Sequence, residues 1–171
     1  MFLKKLGKFS TLCLVIMCGL ILASSASHAY ASSFDVKLKS KYLAVFNNYL
    51  GRENGKICII NSPEIFKLVN GLGKNRGFKV ATSKFINGET KSCGYAFITS
   101  KNRGEAKRLI DLGRKNNIVT VSDIEGFTEM GGGIEFFEED GRVKFILNVK
   151  ELRDVGANPT SDLIGIAADT I

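Results

Sequence analysis

Three short apolar runs, rich in β-branched residues, constrain this chain more than any other feature. They are Lys56-Ile-Cys-Ile-Ile-Asn61, Tyr95-Ala-Phe-Ile-Thr99 and Ile118-Val-Thr-Val121. Runs this short, apolar without a break, mark strands buried on both faces. Each leads into a stretch that reads as helical. Ser62-Pro63 offers an N-cap with proline at the first helical position, and predicts a helix to about Gly71 or Gly73. Residues 102–116 place Ala106, Leu109, Ile110 and Gly113 on one helical face and basic residues on the other. Ser122-Asp-Ile-Glu125 has the capping-box pattern and predicts a short helix stopped by Gly131–Gly133. Residues 77–83 read as one more strand. Strands alternating with helices over short loops predict an α/β three-layer sandwich with a mostly parallel sheet.

The C-terminal third departs from that alternation. Ile134–Glu138 and Arg142–Leu147 flank Asp140-Gly141, a strong two-residue hairpin signal because both turn positions need positive φ. An antiparallel hairpin therefore closes the sheet. Asn148-Val-Lys-Glu151 repeats the capping pattern before a helix that ends near Gly156, and residues 161–169 form a last helix. At the other end of the domain, residues 34–50 space Phe34, Leu38, Tyr42, Val45, Phe46 and Tyr49 three or four apart, an amphipathic helix. The polar stretch from Asn87 to Ser92 reads as a loop.

The first 31 residues read as a cleavable signal peptide, leaving residues 32–171 as a single domain. Lys4, Lys5 and Lys8 precede an uncharged core from Thr11 to Ala23, short for a membrane span, and Ala29-Tyr30-Ala31 offers a cleavage site. An uncleaved anchor is the alternative. Cleavage removes three lysines and His28, the only histidine, so the net charge falls from +7 to +4. A domain without histidine has no Ser/His or Cys/His nucleophile and no histidine-ligated zinc. No metal site and no cofactor are expected. The remaining charge is scattered over short segments and reads as solvated surface, with some attraction for anionic headgroups. Export argues against nucleic acid as a partner. Cys58 and Cys93 remain. In an oxidising compartment they predict a disulfide, with free thiols or an intermolecular bond as alternatives.

In open α/β sheets a ligand crevice lies beyond the carboxyl ends of the strands. Those ends are Asn61-Ser62, Thr99-Ser100 and Ser122-Asp123, and with Gly131, Gly132 and Gly133 they make a candidate polar crevice. The structural alternative is that Ser62 and Ser122 are helix caps and the glycines serve backbone geometry. Receiver-type phosphotransfer is excluded because neutral Asn61-Ser62 and Thr99 stand where acidic residues are needed, and no Gly-x-Ser-x-Gly or Ser-x-x-Lys motif is present. An enzyme is not expected.

The order of motifs from Val119 to Ala168 resembles the YfiR-like family of exported bacterial proteins. It runs Val121-Ser122-Asp123, Phe127, Gly131–Gly133, Gly141-Arg142-Val143, Phe145-Ile-Leu-Asn148, then Ser161-Asp-Leu-Ile164 with Ala167. Cys58 and Cys93 match the family's cysteine pair, whereas Asn47-Asn48-Tyr49 stands where members carry a tryptophan. The resemblance implies a periplasmic regulator, not membrane-spanning after signal cleavage, that can form a homodimer. Its implied partner is the periplasmic sensing domain of an inner-membrane diguanylate cyclase, which it represses, lowering cyclic di-GMP and biofilm formation. The alternative is a periplasmic small-ligand sensor using the crevice. Glu138, Glu139 and Arg142 near the hairpin tip are the candidate partner surface.

Overall fold

A computed structural model describes residues 35–46, 48–51, 55–83 and 93–171. The expected signal peptide, Phe34, Asn47 and the polar loop 87–92 lie outside the described residues. The compact body is Val36–Ile171. Its elements in chain order are helix α1 (35–46), strand β1 (Lys56–Ile60), helix α2 (Pro63–Arg76) and strand β2 (Val80–Ser83). Strand β3 (Cys93–Ile98), a 3₁₀ segment (Ser100–Glu105), α3 (Ala106–Lys115) and β4 (Val119–Ser122) follow. Then come β5 (Ile134–Glu139), β6 (Arg142–Leu147), α4 (Val149–Asp154), α5 (Ser161–Ile166) and β7 (Asp169–Thr170).

The sheet order is β2-β1-β3-β4-β5-β6-β7, parallel from β2 to β5. The first five strands follow the 2-1-3-4-5 order of flavodoxin-like folds. The chain steps outward one way from β1 to β2 and the other way from β3 to β4. Right-handed crossovers therefore put α2 and α3 on opposite faces. Alternate residues of each strand feed the two cores. Ile57, Ile59, Tyr95 and Phe97 join Phe46, Val69 and Leu163 on the face covered by α1, α2, α4 and α5. Cys58, Ile60, Ala96 and Ile98 join Leu109, Ile110 and Phe127 on the α3 face.

On the first face, aromatic rings knit α1 to the hairpin. Phe46 stacks on Phe136 with centroids 5.8 Å apart and meets Phe145 edge-on at 5.3 Å. Each of these fully buried rings contributes roughly 1.5–3 kcal/mol through burial. Asp140 and Gly141 have φ of 52° and 69°, so the β5–β6 hairpin turns through the two residues expected, with Glu139 opposite Arg142.

Several expectations are corrected. Helix α2 does not stop at Gly71 or Gly73; it continues to Gly77, whose left-handed φ of 80° ends it. Gly73 is needed inside the helix because a Cβ there would stand 2.7 Å from the Phe78 carbonyl oxygen. The second strand is therefore Val80–Ser83 rather than 77–83. The helix expected over 102–116 begins as a 3₁₀ segment capped by Thr99. The last helix ends at Ile166, because Ala168 N–H bonds to the Phe145 carbonyl and the chain continues as β7 beside β6. The hairpin is consequently followed by a seventh strand and is not the edge of the sheet. Ser122-Asp-Ile-Glu125 starts no helix; residues 124–131 form successive turns.

Candidate functional site

The failed helix explains how the carboxyl end of the sheet is built. Ser122 is fully buried; its hydroxyl donates to the Ile98 carbonyl at 2.7 Å and accepts from Ile124 N–H at 3.0 Å. It thus closes a local turn instead of bonding the N–H three residues on, as a capping box requires. The next N–H groups are taken by Glu135, a nearly buried carboxylate on β5. It accepts from Gly126 N–H at 3.0 Å, Thr128 N–H at 3.1 Å and the Thr128 hydroxyl at 2.9 Å. Three donors held by one carboxylate compete directly with helical hydrogen bonding.

Three other residues of the expected crevice, Asn61, Thr99 and Asp123, are also engaged internally. Asn61, with φ of 55°, donates from its amide to Asn102 Oδ1 at 3.3 Å. Ser62 stands at the N-cap position of α2 but makes no side-chain capping bond. Thr99 accepts from Lys101 N–H at 3.1 Å, and Ser100 opens the 3₁₀ segment. Asp123 pairs with Lys39 of α1 at 3.0 Å, both side chains largely buried.

Gly131, Gly132 and Gly133 have a different set of neighbours. A Cβ on Gly132 would stand 2.2 Å from the Phe127 ring, and one on Gly133 would stand 3.0 Å from the Thr120 carbonyl oxygen. The Gly131 carbonyl accepts from Arg114, whose guanidinium forks onto Glu151 at 2.7–3.2 Å. Glu151 is nearly buried, and its hydrogen bond raises the Arg114 pKa further above its ordinary value. Asn148 caps α4 by accepting from Glu151 N–H at 2.9 Å, and its amide donates to the Thr128 carbonyl at 3.2 Å. The reciprocal half of that capping box is absent: Asn148 N–H bonds Gly133, and the Glu151 carboxylate serves Arg114. Glu135, Arg114 and Glu151 hold this knot together. Glu135 carried no sequence signal, because a glutamate between Ile134 and Phe136 reads as a solvent-facing strand position.

Open surface lies elsewhere. Glu138, Glu139 and Arg142 are exposed near the hairpin tip, and Glu139 pairs with Lys144. Beside them, Tyr42, Phe137, Ile146 and Ile166 help line a cleft of about 450 Å³. A second cleft of about 580 Å³ lies between Val45 of α1 with Tyr49 after it and Ser161, Gly165 and Ile166 of α5. Ile166 borders both and is 63% exposed; with Ile171 it makes up the exposed large hydrophobics among the described residues. Cys58 and Cys93 form a disulfide between neighbouring parallel strands, with Cα atoms 5.9 Å apart. Among the described residues no group of three or more His, Cys, Asp or Glu is placed to hold a metal. None of their helices is long and apolar enough to cross a membrane.

These features define a mostly parallel α/β domain with a hydrogen-bonded polar knot at the carboxyl end of the sheet and open clefts at the surface. The chain belongs to the YfiR/HmsC-like family: the profile described as DUF4154, YfiR/HmsC-like, matches residues 38–168. Membership supports a periplasmic regulatory role in general terms, in a family that is regulatory rather than catalytic. Among solved structures the chain is similar to a conserved domain protein from Vibrio cholerae, with TM-score 0.63 and 9% identity. It is also similar to an ABC domain in complex with L-Trp from Streptococcus pneumonia, with TM-score 0.61 and 11% identity. Each match covers 77% of this chain and 60% of the other, and at these identities shows the fold alone. No curated protein matches the sequence significantly.

Proposed function

We propose that this chain is an exported regulator that binds the periplasmic sensing domain of an inner-membrane diguanylate cyclase and represses it. Cyclic di-GMP and biofilm formation then fall. Family membership across residues 38–168 is the observation that carries this reading. Residues 1–31 would be the signal peptide, and residues 32–171 the working domain. A disulfide between Cys58 and Cys93 fits an oxidising compartment. The partner would dock on the hairpin tip, through Glu138, Glu139 and Arg142, and on the neighbouring cleft bordered by Ile166. That surface combines charge with the exposed apolar side chain that a docking core uses.

The test is pull-down of a cyclase periplasmic domain from the same cell, with cyclic di-GMP measured in a deletion strain. Glu139→Lys with Arg142→Glu should weaken binding while leaving the melting temperature nearly unchanged. Failure to bind any such domain, with unchanged cyclic di-GMP on deletion, sinks the reading. Normal binding by the double variant would move the interface off the hairpin tip. For a small-ligand sensor at the strand ends, a ligand would have to replace the Asn61–Asn102 and Ser122 bonds. A thermal-shift screen against metabolite pools distinguishes that alternative.

A further inference from the structure

The charge of this domain is not spread as its composition suggests. Residues 32–171 contain 21 Lys or Arg against 17 Asp or Glu, a net +4. Residues 101–115, the 3₁₀ segment and α3, contain six against two, also a net +4. The rest of the domain divides into a basic part, residues 32–100 with 11 Lys or Arg against four Asp or Glu, and an acidic part, residues 116–171 with four against 11; residues 101–115 are the densest cationic segment, with six charges in 15 residues. All six cations are exposed. Lys107 and Arg108 pair with Asp111 and Glu105 of the same helix, and Arg114 reaches Glu151. Among the described residues, Lys101, Arg103 and Lys115 have no ion-pair partner.

The helix that carries this charge buries Ala106, Leu109 and Ile110 beneath it, so its apolar stripe is used up by the core. Among the described residues the exposed large hydrophobics, Ile166 and Ile171, belong to the C-terminal segment, and α5 packs on the opposite core. A specific protein interface uses a desolvated apolar or aromatic centre with a charged rim. The α3 face offers the rim chemistry without the centre. Helix α3 alone spans roughly 15 Å, by the rise of an α-helix. A cluster of exposed cations matches a broad, laterally mobile anionic surface, where each Lys or Arg adds an increment of attraction and no keyed contact is needed.

We infer that α3 and its preceding 3₁₀ segment form an electrostatic docking face for anionic phospholipid headgroups, through Lys101, Arg103, Lys107, Arg108 and Lys115. The inference adds to the proposed function and rests on its export step. Because α3 and α5 cover opposite faces of the sheet, the domain can lie against the bilayer while the hairpin and the Ile166 clefts stay free for a membrane-embedded partner. Holding both on one surface raises their effective concentration.

The experiment uses the chain as recovered from the cell and protein-free vesicles, so it does not depend on any cyclase. Sedimentation is measured with phosphatidylcholine vesicles and with vesicles containing about 30% phosphatidylglycerol, at about 0.15 M salt and again near 1 M, where screening is short-ranged. Binding to the anionic vesicles alone, released by high salt, is expected. The triple variant Lys101→Glu, Arg103→Glu, Lys115→Glu should weaken it at least about tenfold with an unchanged melting temperature. Lys67→Glu, Lys74→Glu, Arg76→Glu on α2 makes the same change in net charge and should leave most of the binding intact. Equal binding to both vesicle types overturns the inference, as does equal loss in the two triple variants. If anionic vesicles are ignored while the α3 variant loses a soluble cyclase domain, the face is a protein surface and the lipid assignment is wrong. If vesicles are ignored and the cyclase domain still binds, this inference falls and the proposed function stands.

Discussion

The two faces of the sheet solve the same burial problem in opposite ways. On the face of α1, α2, α4 and α5, bulky rings fill the space, with Tyr42, Phe46, Phe97, Phe136 and Phe145 in mutual contact. This side leaves clefts around Ile166, and beside them a Cβ on Gly165 would meet nothing within 4 Å, although Gly73 of α2 is tight against Phe78. On the α3 face the spacing is tight. Gly113 and Gly132 would each place a Cβ within 2.5 Å of a neighbour, a disulfide joins two strands, and the buried Glu135 carboxylate holds the turns after β4. Tolerance to change should therefore differ between the faces, and differ most where backbone or covalent bonds fix the packing.

The covalent link should show the largest effect. Replacing both Cys58 and Cys93 by alanine releases a constraint of sequence separation 35. In the chain-entropy account this costs about 4 kcal/mol. Urea denaturation of the double variant against the oxidised parent measures it. A loss under about 1 kcal/mol would mean that the unfolded chain is already held compact, and that the α3 face does not depend on its staple. Gly132→Ala comes next. The added methyl would meet the Phe127 ring at 2.2 Å and the Phe127 carbonyl oxygen at 2.8 Å. The ring can rotate or shift but the carbonyl accepts Gly132 N–H and is fixed, so a loss of roughly 2–3 kcal/mol is expected. A neutral result would show that the 124–131 turns yield easily.

The same contrast explains what the sequence could reveal. The parallel strands were legible because each apolar run is buried on both faces, and the hairpin because Asp140 and Gly141 are both at positive φ. Local pattern and global fold agree there. The α3 face was less legible because distant groups overrule local ones. Ser122-Asp-Ile-Glu125 has the letters of a capping box, but Ser122 is turned to Ile98 and Glu135, ten residues or more away, takes the N–H groups of the turn. Of the expected crevice, the strand-end positions were readable, but not that their side chains bond to Asn102, Ile98 and Lys39. Strand β7 has no signal in the sequence, because two exposed residues carry no periodicity and the chain is held there by backbone bonds to Phe145 and Leu147.

A pH test separates the two cores more finely. Tyr95 is fully buried on the aromatic face, where its hydroxyl donates to the Leu43 carbonyl, and burial pushes its pKa well above the ordinary value of 10.0. Below that value the phenol is protonated in folded and unfolded chains alike, so its contribution is intact. Above it the unfolded phenol ionises while the folded one keeps its proton. The folded state then binds more protons, and stability falls as pH rises, by at most about 1.4 kcal/mol per pH unit from this group. Tyr95→Phe should cost about 1 kcal/mol at neutral pH through the lost hydrogen bond, yet flatten the alkaline decline. Parallel stability curves for parent and variant between pH 9 and 11 (a range set around the phenol's ordinary value of roughly 10) would show that other groups control the decline.

The smallest effect should come from Gly165→Ala, the counterpart of Gly132→Ala on the open side. Gly165 lies within α5, is exposed, borders the second cleft, and has free space where a Cβ would stand. Alanine there reduces the freedom of the unfolded chain and favours helix, so a gain of roughly 0.5–1 kcal/mol is expected. Thermal unfolding of the two alanine variants side by side gives opposite signs if the faces are packed as described. A stabilised Gly165→Ala protein that also loses cyclase-domain binding would locate the partner over the cleft, since the isolated fold has nothing there for the methyl to disturb. A destabilised one would mean that this surface is already covered in solution, with a second copy of the chain the first candidate, and the melting temperature would then depend on protein concentration.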